Sequence, residues 1–403
     1  MTRNTPNLSF GPQTVAIPGP SIMPPQVLAA FARPIPDIYE GELIEVSDTL
    51  WELLPPIVGT SLAGGAEQFI AISNGHGAWE MALANTLLPG DKVLVANCGV
   101  FAAGWGEMAA RLGCEVELID APPGRAVDPQ TIHDRLAGDP QHTIRAVLTT
   151  HVDTASSART DVPAVRAAID AAGHPALLMI DAVASLGCEE YRMDAWGVDV
   201  TVAASQKGMM TPPGLGLVWA GPKALDAHRA AAERGGARTW YWSWTTRRDR
   251  SAHYLRYAGT PPVNHIFALR EAASLIHAEG LDNVWARHAA LAGAVRAAVD
   301  AWATPDGLAL NCQVPAEQSN AVTTIGTGAL DAELLRSVCR SEFGVTLGIG
   351  LRAFAARSFR IGHMGYVSAP SVLGVLGVVE AALARLDAPF GASGVAAAAA
   401  ALA

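Results

Sequence analysis

Between about Phe69 and Trp219 the chain alternates short apolar runs with helix-forming stretches, and no other feature limits its fold as strongly. Strand-like runs occur at 68–72, 92–96, 115–119, 145–150, 176–180, 198–203 and 215–219. Alanine-rich segments with helical apolar spacing, at 78–87, 102–112, 129–136 and 162–172, separate most of them. Runs of five or six mostly apolar residues suit strands buried on both faces, and the helices between them supply the crossovers that parallel pairing requires. The pattern predicts an α/β fold whose mostly parallel central sheet is covered on both sides.

The texture changes after about Leu269. A long helix over 270–303 leads into short strands near 321–325 and 358–361, with helices at 331–342 and 368–386, which reads as a smaller α+β domain. Residues 1–25, rich in Pro and Gly at Ile17-Pro18-Gly19-Pro20, form an extended arm leading into a helix at 26–32. The expected layout is arm 1–25, large domain 26–269, small domain 270–390 and an alanine-rich tail, 391–403, that frays. A chain of 403 residues has room for two such domains. Its net charge of −10 argues against non-specific nucleic-acid binding. Five scattered cysteines without a CxxC suggest neither disulfides nor zinc, and a reducing cytoplasm fits them. Neither a secretory signal nor a membrane span is expected.

In open α/β sheets, ligands bind beyond the carboxyl ends of the strands. There the run Ala176-Leu177-Leu178-Met179-Ile180 ends in Asp181, and the run from Val198 leads into Ser205-Gln206-Lys207-Gly208, 26 positions on (207 − 181). A carboxylate and an amine at neighbouring strand tips form the pairing a pyridoxal phosphate enzyme needs. The lysine forms a Schiff base with the aldehyde, and the aspartate keeps the pyridine nitrogen protonated. An Arg or a helix N-terminus would serve equally as partner for a buried Asp181. Ser73-Asn74-Gly75-His76-Gly77 opens a helix and suits either a phosphate seat or an ordinary glycine turn. Phe101 either stacks on a planar ring or packs in the core. His151-Val152-Asp153-Thr154-Ala155-Ser156-Ser157 either binds a ring hydroxyl or caps a turn. Arg360 is either a bidentate carboxylate clamp or a salt-bridge partner.

Taken together these motifs resemble the class V aminotransferases of the fold-type I pyridoxal phosphate enzymes, in the alanine/serine–glyoxylate group. The strongest elements are Ser205-Gln206-Lys207, Asp181-Ala182-Val183-Ala184-Ser185 and Arg360-Ile361-Gly362, and the likeness runs from Pro18 to about Gly365. The segments 73–80 and 151–157 are most similar to the aspartate–glyoxylate enzymes of bacteria. The resemblance implies Lys207 as the Schiff-base lysine and Asp181 as the pyridinium partner. Gly75, His76 and Gln206 would hold the phosphate, Phe101 and Val183 would flank the ring, and Thr154 would lie near the ring oxygen. Tyr257 and Thr260 would reach the phosphate of a neighbouring subunit, so a homodimer with shared sites is implied. Arg360 would clamp the substrate α-carboxylate, with Pro18 and Gly19 in an arm over the substrate. The chain departs from the group at Asp153, where a glutamate is usual, and at Ser156-Ser157, where Thr-Gly is usual.

The implied reaction moves an amino group from an L-amino acid to glyoxylate, with Lys207 as proton carrier. L-aspartate is the expected donor, and serine and alanine are the alternatives. Aspartate needs a second cation, for which the segment Arg238-Thr239-Trp240-Tyr241-Trp242-Ser243-Trp244-Thr245-Thr246-Arg247-Arg248 offers candidates; an oligomer surface explains the same composition. A lyase or desulfurase of the same fold would need a mobile cysteine, and Cys339 sits in a helical context. A regulator would need a DNA-binding module, for which no segment is spare, and a non-catalytic homologue would be expected to lack the lysine.

Overall fold

A computed structural model describes residues 7–235 and 239–403. Strand β1 (Thr14–Ala16) and helices α1 (Pro25–Phe31) and α2 (Glu42–Val58) precede the alternating region. That region runs β2 (Glu67–Ser73), α3 (Gly75–Thr86), β3 (Lys92–Asn97), α4 (Val100–Arg111), β4 (Glu115–Asp120), α5 (Pro129–Ala137), β5 (Ile144–Thr150), α6 (Val162–Ala171), β6 (Leu177–Asp181), β7 (Val200–Ala204) and β8 (Gly214–Ala220). Helices α7 (Pro222–Glu233), α8 (Trp244–Arg248), α9 (Val263–Glu279) and α10 (Leu281–Trp302) follow. Last come β9 (Ala309–Leu310), β10 (Val322–Gly326), α11 (Ala332–Phe343), β11 (Val345–Ile349), β12 (Ser358–Gly362), α12 (Ala369–Arg385) and α13 (Gly394–Ala401). Local chemistry sets several starts: Asp128 and Asp161 cap α5 and α6, each with proline in the first turn. Helices α2 and α7 are not among those read from the sequence.

The large sheet has the order β2-β8-β7-β6-β5-β3-β4. Pairing is parallel from β7 through β4, and β8 is antiparallel to both β7 and β2. Strand alternation sorts the apolar side chains onto two faces. Leu178 and Ile180 pack in one core with residues of α2, α5, α6 and α9. Leu177 and Met179 join the opposite core with α3, α4, α7 and α8. Asp181 continues the second series and so leaves the sheet on the α3 side. Register sets it beside Thr150 and Val202.

The second sheet, β1-β11-β12-β10-β9, packs with α10, α11, α12 and α13 around a separate core. Three expectations change here. The helix expected over 270–303 is two helices, because Gly280 takes φ 84°, a left-handed value that breaks a helix and favours glycine. Helix α9 packs against α1 and α2. The arm is not wholly extended loop, since β1 pairs in parallel with β11. The alanine-rich end, expected to fray, forms α13 against α10 and α12. Glu380 fastens it, accepting from Ser393 Oγ (2.8 Å), Val395 N (3.2 Å) and Trp302 Nε1 (2.9 Å). All five cysteines are free and buried. Among the described residues no helix is long and apolar enough to cross a membrane.

Deleting residues 391–403 uncovers Trp302, which is fully buried. The thermal denaturation midpoint is expected to fall by several degrees, on the order of 2–4 kcal/mol of lost burial and hydrogen bonding. An unchanged midpoint in a calorimetric scan would show that this helix contributes nothing.

Candidate active site

The carboxyl ends of β5, β6 and β7 and the start of α3 enclose a cavity of about 210 Å³. Gly75, His76, Phe101 and Thr154 line it together with Asp181, Val183, Gln206 and Lys207. A larger cavity of about 750 Å³, bounded by Leu83, Leu87, Arg111 and Trp242, holds none of these residues.

Lys207 follows β7 and is held from the arm. Its Nζ donates to the Pro18 carbonyl oxygen, while Ser21 Oγ donates to the Lys207 carbonyl (2.7 Å). Gly19, at φ 88°, is required at this approach: a Cβ there would lie 2.7 Å from Lys207 Nζ. Burial draws the lysine pKa down to about 8, the Arg360 charge adds to the fall, and Asp181 opposes it.

Asp181 is 4% exposed. Its Oδ1 accepts from Val183 N (2.6 Å) and its Oδ2 from Trp79 Nε1 (2.9 Å). Burial raises its pKa to about 7 against those two donors. Val183 reaches the cavity because position 75 is glycine; a Cβ there would meet Val183 Cγ2 at 2.9 Å. Asn74 caps α3, accepting from His76 N (3.0 Å) and Gly77 N (3.4 Å). The Gln206 Oε1 atom is buried without a partner among the described residues.

Asp153, one methylene shorter than the usual glutamate, is fully buried and does not line the cavity. It accepts from four backbone N–H groups: Phe101 (2.7 Å), Ala102 (3.4 Å), Ala155 (2.9 Å) and Ser156 (3.3 Å). It thereby joins the start of α4, which carries Phe101, to the loop that carries Thr154. Ser157 takes φ 58° where glycine is usual. Its Oγ accepts from Thr324 N (2.8 Å) and donates to Ser156 O (2.7 Å), which offsets the strain.

Arg360 stands behind the cavity wall. Its Nε donates to Ile349 O (2.7 Å) and its Nη1 to Thr154 O (2.8 Å), and Nη2 has no hydrogen bond to a described residue. Tyr257 is fully buried in the large-domain core of its own chain, with its hydroxyl donating to Ser47 Oγ (3.0 Å). Thr260 is exposed and lies outside the cavity.

In the aromatic segment the described arginines are engaged within the chain. Arg238 lies outside the described residues. Arg247 is buried and donates to the carbonyls of Ile70, Tyr241 and Arg256, while Arg248 and Arg250 pair with Glu67. Cys339 is buried in α11, its thiol pKa pushed up by burial to about 12, so it is no mobile nucleophile. Trp79, like Val152 and Ala184, lines the cavity without having been singled out as a site residue in the sequence. Its signal was position: one turn after Gly75, it shares that residue's helix face.

These features fit pyridoxal phosphate. A glycine-bearing helix start suits a dianion, a buried carboxylate has no ion-pair partner among the described residues, and a lysine of lowered pKa faces the same space. The comparisons agree. The family model described as Aminotransferase class-V matches residues 62–367. The chain is 39% identical to an L-aspartate–glyoxylate aminotransferase of Paracoccus denitrificans, over 95% of this chain and 94% of that one. It is also 39% identical to a serine–glyoxylate aminotransferase of Hyphomicrobium methylovorum, over 91% and 88%. Among solved structures, ureidoglycine–glyoxylate aminotransferase from Bacillus subtilis superposes with a TM-score of 0.87 at 25% identity, covering 98% of this chain and 99% of that one. The cofactor these relationships imply is pyridoxal phosphate. The chain belongs to the class V aminotransferases.

Proposed function

We propose that this aminotransferase moves the amino group of L-aspartate to glyoxylate, giving glycine and a 2-oxo acid. One observation carries the reading: Asp181 and Lys207, on adjoining strand ends, open into one cavity with the glycine start of α3. When bound, pyridoxal phosphate supplies an aldehyde for the amine and a ring that accepts electrons. The Gly75 end of α3, with His76 and Gln206, would hold its phosphate. Phe101 and Val183 would flank the ring, and Thr154 would meet its oxygen. Arg360 would orient the substrate carboxylate through its Nη2 edge. Lys207, with a pKa near neutrality, would take the substrate α-proton at Nζ and hand it back on the other side of the transfer. A shared-site homodimer fits this reading through the exposed Thr260.

The donor rests on the aspartate–glyoxylate relative, which matches 95% of the chain. A second reading, serine as donor, has its own observation: Arg247, Arg248 and Arg250 are all engaged, so none is free for a second carboxylate. Glycine formation from glyoxylate separates the two. Aspartate is expected to support it at least tenfold faster than serine at equal concentration; the reverse order would replace the donor and leave glyoxylate in place.

Only the neutral amine attacks an aldehyde, and the neutral fraction grows as pH rises through the pKa. Cofactor capture by the apoprotein is therefore expected to accelerate around a midpoint near pH 8. An ordinary lysine would set it near about 10.4. Absorbance stopped-flow across pH 6–11, roughly the span over which such an amine titrates, measures it. A midpoint above about 10 would refute the buried-amine assignment, and Lys207→Ala should abolish capture.

A further inference from the structure

Trp79 lies on α3, one turn from the glycine start, and is 2% exposed. Its ring body is ordinary core, stacked on Trp105 with centroids 5.9 Å apart. Its edge is not. The indole N–H donates 2.9 Å to Asp181 Oδ2, inside the cavity that both residues line. Burial alone does not secure such a partner: the indole N–H groups of Trp51, Trp105 and Trp244 have none among the described residues, whereas Trp219 donates to Gln68 and Trp302 to Glu380. The same ring lies 4.5 Å from His76 and 6.4 Å from Phe101, centroid to centroid. One side chain thus touches the phosphate end, the ring-flanking face and the carboxylate of the site.

An indole nitrogen donates and never accepts. The oxygen it faces must therefore act as an acceptor, and Val183 N imposes the same condition on Oδ1. With both oxygens receiving hydrogen bonds, the carboxyl group is fixed in rotation and favoured in its ionised form. A carboxylate so buried still lacks a full positive partner, and a protonated pyridine nitrogen is a cation of the right kind.

We propose that Trp79 is a positioning residue of the transamination site, fixing the Asp181 carboxylate as an anionic acceptor for the protonated ring nitrogen of pyridoxal phosphate. The proposal rests on the reading that Asp181 faces that nitrogen. It assigns Trp79 no contact with substrate.

The test measures binding instead of turnover. Apoprotein is titrated with pyridoxal 5′-phosphate and with its 1-deaza analogue, in which a C–H replaces the ring nitrogen; the aldehyde and phosphate are common to both. The quantity of interest is the ratio of the two dissociation constants. Trp79→Phe is expected to weaken binding of pyridoxal 5′-phosphate by about tenfold, the scale of one hydrogen bond to a charged group. Binding of the deaza analogue should change less than twofold. Equal weakening of both ligands would mean that Trp79 only packs, and would overturn the proposal. Should the phenylalanine variant not fold, Trp79→Leu carries the same comparison with the same two outcomes. Asp181→Asn separates the premise from the inference. If it keeps the wild-type preference for pyridoxal 5′-phosphate, Asp181 does not serve the ring nitrogen and the premise fails. If it loses the preference while Trp79→Phe keeps it, only the role of Trp79 fails. In the Asp181→Asn background, Trp79→Phe should shift the ratio by less than twofold, because the group it acts through is gone.

Discussion

A carboxylate buried at the end of β6 is the constraint around which the rest of the site is arranged. Taking Asp181 out of water without compensation would cost several kcal/mol or force it to stay protonated. Strand alternation sends it to the α3 side, where Trp79 and Val183 N supply donors but no cation. Gly75 follows from the same constraint, since the turn after Asp181 brings Val183 within 2.9 Å of where a Cβ would stand. Lys207 on the next strand end offers positive charge, but burial reduces its hold on the proton. The site is thus short of one cation and carries a ready amine, a combination that a protonated pyridine aldehyde satisfies at both ends.

The loop 153–158 connects this chemistry to the small domain. Thr154 O accepts from Arg360 Nη1, Ala155 O from Thr324 Oγ1 and Ser156 O from Asn311 Nδ2. Ser157 Oγ adds the bond from Thr324 N. Beside this loop, Glu189 Oε1 accepts from Ser319 Oγ and Asn320 N. A left-handed serine costs on the order of 1–2 kcal/mol, and an interdomain hydrogen bond returns a similar amount. The replacement of the usual glycine therefore keeps the backbone shape and adds a contact across the domain seam.

Much of the site was legible because strand ends announce themselves. Asp181 and Lys207 each close an apolar run, and such runs have few alternatives in a doubly covered sheet. Gly280 was not legible as a helix break, since alanine-rich sequence on both sides of it reads as one helix. The terminal alanines lack side chains that advertise packing; their partner, Trp302, lies about ninety positions earlier. Trp79 reads as core because most of it is core, and only the direction of one N–H makes it more. Arg247 shows the converse: its charge suggested a ligand, yet its whole guanidinium is spent on backbone carbonyls. Tyr257 carried a motif match into a buried environment that a motif cannot describe.

The pairing of β1 with β11 has a bearing on the order in which the chain folds. Thr14 aligns with Val345, a separation of 331 residues (345 − 14), and the same arm brings Pro18 to Lys207. A contact of that span closes late, because the loop entropy must be overcome before the strand gains anything. During synthesis the large domain can form its sheet and deliver Asp181 and Lys207 to their strand tips while the arm still hangs free. The amine then stays uncovered until the last third of the chain has been made. Nascent or truncated chains would hold an exposed, aldehyde-reactive lysine, and assembly of the small domain is the step that closes over it.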